Sequence, residues 1–380
     1  MKTLKKLLAA LWLLTFVFAL PSPAELSEEL ASKWSDLTKL LDQGTTLRGK
    51  MARLPEKSLL GADQQKTEKK IDKTLRKAQE ILLSDDSMEL VDRAEVIRKR
   101  LPELYAEIEE LKNERIGAPE KSYNPLTKTI EDCDEKIAEA EGDIKRLNAE
   151  LADIRQKISD ELRSWGLELT DEQADVLFSS VLGDSLLQNA IIFENVKAVT
   201  QQLMELMQQS KSDTTLARKY YGMYITLIDV LLDTEERFIQ KIDEDWQPQV
   251  QKISDGASAS LEEARTALKR SDFTSEQKNI FRSNIASNEL TVKAASQYLQ
   301  LLSQQKESVQ KCINDLDLDR EVAVNTYATV QHLSDMSSVV HSGLQLFDML
   351  TSMQLPDLKA FDSTELRQEF DEITRRLQQE

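Results

Sequence analysis

A seven-residue apolar repeat over residues 126–162 constrains this chain more than any other feature. Leu126, Ile130, Cys133, Ile137, Ala140, Ile144, Leu147, Leu151, Ile154 and Ile158 follow one another at spacings that alternate between four and three. A stripe of that period holds one helix against another along a narrow seam, and the Glu, Asp, Lys and Arg between the seam positions are its solvated flanks. At 1.5 Å per residue the helix is roughly 55 Å long. A second seam precedes it, through Leu90, Ala94, Ile97, Leu101, Leu104, Ile108 and Leu111. Pro102 falls inside this run. Proline removes a helical hydrogen bond and crowds the preceding turn, but the seam keeps its phase across it, which predicts a kinked helix and not two helices. Between the seams, residues 117–125 hold Gly117, Pro119 and Pro125, and a turn that short between two striped helices predicts an antiparallel hairpin with arms 88–115 and 126–162.

Composition extends the helical reading to the rest of the chain. Ten glycines and eight prolines in 380 residues leave little material for β-turns, and no stretch alternates with period two. The expected fold class is all-α: an antiparallel coiled-coil hairpin joined to an elongated multi-helix bundle.

Three regions are expected. Residues 1–24 read as a signal peptide: Lys2, Lys5 and Lys6 lead an apolar run from Leu7 to Leu20, and Ser22 and Ala24 fit the small-residue positions of a cleavage site before Glu25. That run is shorter than the roughly 20 residues a span needs, so no direct membrane span is expected after cleavage. Residues 25–165 form the coiled-coil region, in which the stripes at Leu30–Leu54 (weakened at Gly44) and Ile71–Leu82 pack along the hairpin or extend it. Residues 166–380 form the bundle. Thr170 with Gln173 and Thr274 with Gln277 are capping-box starts, 254–260 reads as a breaker, and a short C-terminal helix starts at Asp362. Leu186 to Val196 is apolar around more than half of its helix, so this helix is expected to touch several neighbours at once.

The charge excludes one class of partner. The formal net charge is −18, and loss of the three leader lysines takes it to −21. Such a surface repels phosphate backbones, and the basic residues alternate with acids along helix faces. No nucleic-acid partner is expected.

Chemical motifs are as sparse. No His-Glu-x-x-His, phosphate loop, dinucleotide fingerprint or nucleophile elbow occurs. Placed on one helix, His332 and His341 stand about 180° apart and share no metal. Asp315, Asp317 and Asp319 imitate the start of a calcium loop, but Arg320 stands where that loop needs glycine. No cofactor, metal or catalytic residue is assigned, and no enzyme is expected. Cys133 and Cys312 both fall on seam positions. In an export pathway they are a candidate disulfide, which would stabilise by about 4–5 kcal/mol in the chain-entropy account; the alternative is two buried apolar residues that never meet.

Two surfaces are candidates for partner contact: the hairpin tip, with Pro119, Lys121, Tyr123 and Asn124, and a groove lined by Tyr220, Tyr221 and Tyr224. The expected function is an exported, periplasmic or secreted, non-enzymatic scaffold or adaptor of the bacterial cell envelope. It would contact other envelope proteins through its helices, as a monomer or weak homodimer. The alternatives are a secreted helical pore-forming toxin component, with residues 174–206 as its membrane hairpin, and a coiled-coil activator or accessory subunit of an envelope enzyme or transporter.

Overall fold

The computed structural model describes residues 26–58, 61–83, 86–121, 128–164, 170–210, 213–330, 332–353, 361 and 363–379. The signal-peptide reading, the start of the bundle at residue 166, the seam position Leu126 and the helix start at Asp362 lie outside them. The described residues form an all-α fold with no strand. In chain order the helices are α1 (Glu28–Ser32), α2 (Trp34–Met51), α3 (Gln64–Leu82), α4 (Asp86–Gly117), α5 (Ile130–Ser164), α6 (Asp171–Phe178), α7 (Leu182–Gln209) and α8 (Thr214–Lys241). A π-helical turn, Ile242–Trp246, leads into α9 (Gln247–Leu268), followed by α10 (Ser275–Thr329), α11 (Leu333–Met353) and α12 (Thr364–Gln379).

Helices α4 and α5 lie side by side and antiparallel, because Arg93 near the start of α4 meets Glu150 late in α5 while Arg115 at the end of α4 meets Asp134 at the start of α5. Pro102 sits within the one continuous helix α4. The α5 seam divides into two rows. Cys133, Ala140, Leu147 and Ile154 are buried; Ile130, Ile137, Ile144 and Leu151 are half-buried, and their row becomes buried only at Ile158, at the base of the pair. One partner helix covers one row fully and the other only from the side. The pair has its own apolar cluster, which at its base takes in Phe178, Leu187, Ala190 and Ile191 from α6 and α7.

A larger cluster forms the body. Its axis is α8, in which the twelve consecutive residues from Tyr221 to Leu232 are all buried. A helix buried around its whole circumference needs neighbours on every side, and α8 packs against α2, α3, α7, α10 and α11. The breadth of the α7 stripe has the same cause: one face enters the cluster of the α4–α5 pair and another enters the body.

Four expectations need correction. Helices α1–α3 do not run along the hairpin: Leu30, Leu37, Leu41, Ile71, Leu75 and Leu82 belong to the body core. Gly44 does not weaken α2; its missing side chain lets α2 and α8 approach. A Cβ there would lie 2.5 Å from Thr226 Cγ2, and one on Gly222 would lie 2.5 Å from Thr45 Cγ2. At this crossing the Thr45 and Thr226 hydroxyls are 3.2 Å apart. Residues 254–260 do not break a helix but lie inside α9, where Ala257 is buried and Gly256 faces outward. Serine and glycine on an exposed face cost little when the opposite face packs, and α9 packs antiparallel on the start of α10, with Arg265 2.8 Å from Glu289. Finally, no single helix holds His332 and His341, since α10 ends at Thr329 and α11 starts at Leu333.

The crossing of α2 and α8 also places a deeply buried charge. Arg48, one turn beyond Gly44, and Asp229, one turn beyond Thr226, form an ion pair, and Arg320 from α10 reaches the other carboxylate oxygen at 2.6 Å. The Asp229 side chain is only 2 % exposed. Burial pushes its carboxyl up, while Arg48 and Arg320 pull it down.

Candidate functional site

A cleft of about 630 Å3 opens where the α4–α5 pair meets the body. The turn between α6 and α7 forms its floor. That turn is fixed by two side chains from elsewhere: the Val181 N–H donates to the Tyr298 hydroxyl at 2.8 Å, and the Thr374 hydroxyl donates to the Ser179 carbonyl at 2.6 Å. Tyr298 stacks on Phe370 with ring centroids 4.2 Å apart, which ties α10 to α12 behind the floor. Phe178 is thereby held at the cleft, under the Arg155 guanidinium at 5.9 Å.

Four arginines line this cleft: Arg98 from α4, Arg155 from α5, and Arg367 and Arg375 from α12. Arg98 Nη2 donates to Asp184 Oδ1 at 2.6 Å, and Arg375 pairs with Glu372. The one carboxylate among the described lining residues is Asp371. Burial pushes it up, and the nearby Ser179 hydroxyl and the charges of Arg367, Arg155 and Arg375 oppose this. Pro102 lies on the α4 wall. It has no N–H for the Arg98 carbonyl one turn back, so this wall also carries a carbonyl without its helical partner. Planar guanidinium forks on three walls suit a carboxylate or phosphate group. No histidine or cysteine occurs among the described lining residues. No sequence pattern signals this cluster, because each arginine alternates with acids along its own helix and only the fold brings α4, α5 and α12 to one cleft.

The sites read from the sequence are placed as follows. Cys133 and Cys312 are both buried and form no disulfide. Cys133 lies in the α4–α5 pair near Arg115 and Lys128, while Cys312 belongs to the body core, so the candidate clamp joins two residues that pack in different places. At the hairpin tip Pro119 and Lys121 are exposed, whereas Tyr123 and Asn124 lie outside the described residues. The tyrosine groove is not a groove. Tyr221 and Tyr224, three apart on the inner face of α8, are each 1 % exposed. Tyr221 stacks on Tyr327, and Tyr224 donates to Asp319 Oδ2 at 2.7 Å. Tyr220, one position off that face, is half-buried against the same core. Asp315, Asp317 and Asp319 lie within the helix α10 and not in a loop. The two histidines do not share a helix: His332 lies in the connection before α11, and both are exposed. Among the described residues no group of three or more His, Cys, Asp or Glu could hold a metal ion, and no helix is long and apolar enough to cross a membrane.

Comparison of the chain with protein-family models, with curated proteins and with solved structures gives no match.

Proposed function

We propose that the chain is an exported, non-enzymatic scaffold or adaptor of the bacterial cell envelope that contacts other envelope proteins through the α4–α5 pair. The observation that carries this reading is the division of the α5 seam into a buried and a half-buried row. An antiparallel pair of this length keeps a continuous apolar edge that a further helix can cover. Among the described residues, the ion pairs distal to the basal cleft stay within the pair, as in Arg115 with Asp134 and Lys128 with Glu114, so the distal part is free of the body. Ile116, next to the tip, is 86 % exposed. A large apolar side chain presented that fully at the end of a helix suits a partner contact. The basal cleft adds an anion-recognising surface where the pair meets the body.

In-cell photocrosslinking from position 121 tests the reading. A discrete adduct with one envelope protein, lost when Ile116 is changed to Asp, is the expected outcome. An absence of adducts, or adducts indifferent to that change, contradicts it. Export is checked separately: N-terminal sequencing of the mature chain should begin at Glu25, and a retained leader would contradict it.

A further inference from the structure

A second cleft, of about 510 Å3, lies beside Arg48 and Arg320, between α2, α8 and α10. Its walls are mainly apolar, with Met51 and Ala52 from α2, Ile225 from α8, and Val324 and Tyr327 from α10. Tyr327 is held in place by stacking on Tyr221 and by the Arg218 guanidinium 5.0 Å above its ring. Its charged groups are Arg48 and Arg320, and Thr45, Thr226 and Gln64 are the other polar residues of the lining.

The geometry of the two arginines is unusual for an ion cluster that only stabilises a fold. Each arginine contacts Asp229 through Nε, one on each carboxylate oxygen. Among the described residues no hydrogen bond occupies the Nη groups of either arginine. The side chains are 24 % and 31 % exposed, respectively, and both line the cleft. Two guanidiniums share the Asp229 carboxylate, and the charge of Asp72 acts on Arg48 without an ion pair to it among the described residues. A half-buried cation is stabilised further when an anion meets its remaining donors. A cavity of this volume, apolar except for a few convergent donors, matches the general form of a small-molecule site.

We propose that this cleft binds an amphiphilic monoanion, a carboxylate head on a single apolar body, with the head taken by the Nη groups of Arg48 and Arg320 and the body lying against Met51, Ile225, Val324 and Tyr327. The two guanidiniums select a negatively charged head, and the apolar walls select against small hydrophilic acids. The site is independent of the α4–α5 pair, so this assignment goes beyond the scaffold reading and does not rest on it.

Gly49 offers a test that spares the fold. It lines the cleft on α2, and a Cβ there would meet nothing within 4 Å. Glycine is the poorest ordinary helix former, so Gly49→Trp fills the cleft without opening the core or touching the arginines. Calorimetric titration of the full chain with decanoate and with decanol is the measurement. Decanoate should bind saturably with one site per chain, decanol about tenfold or more weakly for want of the charged hydrogen bonds, and Gly49→Trp should abolish decanoate binding while melting no lower than the wild type. Equal affinity for decanol and decanoate, unchanged decanoate binding by Gly49→Trp, or no binding of decanoate by the wild type would each overturn the proposal.

Discussion

The α4–α5 pair and the body use the same residue types in opposite ways. In the pair, apolar side chains recur at heptad spacing, one row fully buried and one half-buried, and charges meet across the seam in water. In the body, α8 buries twelve residues in succession and carries its charges inward, with Asp229 between two arginines and Tyr224 bonded to Asp319. Glycine divides in the same way: Gly44 and Gly222 fit against threonines with no room to spare, whereas Gly142 on α5 faces open space. A two-helix seam tolerates change at most of its surface. A helix enclosed on all sides tolerates almost none, and that difference decides which part of the chain is available to partners.

The contrast can be broken or sharpened by substitution. The largest effect is expected from Asp229→Ala, which leaves Arg48 and Arg320 half-buried beside no carboxylate and should cost about 3–5 kcal/mol in urea unfolding of the body. A loss as small as that of a surface pair would remove Asp229 from its central role. Next come two substitutions of opposite sign. Gly44→Ala should destabilise by about 1–3 kcal/mol despite alanine's better helix propensity, since the new methyl meets Thr226. Gly142→Ala should stabilise the pair by up to about 1 kcal/mol. Matching signs would mean that the α2–α8 crossing is looser than its geometry.

The regions also differ in their response to pH. Burial raises the carboxyls of Asp319, Asp371 and Glu236, with the charges of Asp233 and Asp317 adding to it at Glu236. The folded chain therefore binds these protons more readily than the unfolded chain. Stability should rise as pH falls through the raised values towards the ordinary carboxylate value of about 4. In the pair, the hydrogen bond from Arg93 lowers the Glu150 carboxyl. Its contribution is present above the unfolded value and is lost only as pH falls through the lower folded one. The urea midpoint of the body should thus increase as pH falls from neutrality towards that ordinary value, and Asp319→Asn should flatten that slope. A midpoint that falls over this range contradicts the account. The smallest effect is expected from Arg115→Ala, whose exposed pair with Asp134 is screened by salt: body melting should not change, and a measurable drop would show that the pair is coupled to the body.

Much of the fold was legible in the sequence because periodicity reports local contacts. The two seams gave the antiparallel pair, the phase across Pro102 gave one continuous helix, and the Thr170–Gln173 and Thr274–Gln277 boxes are formed as hydrogen-bonded pairs. The breadth of the Leu186–Val196 stripe foretold a helix between two cores. The failures share one cause, which is that a residue's role was decided by a distant helix. Gly44 reads as a weak point until Thr226 is placed beside it. Residues 254–260 read as a breaker until the start of α10 covers Ala257. The tyrosines of α8 read as a candidate groove until Tyr327, Asp319 and Phe347 surround two of them. Both clefts are of this kind, since their arginines come from separate helices and are interspersed with acids along each.

Amide hydrogen exchange of the intact chain tests most directly whether the pair is a separately cored element. Residues 105–116 and 131–145 lie in the distal part of the pair, and residues 221–232 lie at the centre of the body. The distal amides are expected to exchange through local openings at low denaturant, independently of urea up to the body transition, while the α8 amides exchange only with global unfolding. Equal protection of the two sets, lost together across one transition, would contradict the division of the molecule into a body and an independent helical pair.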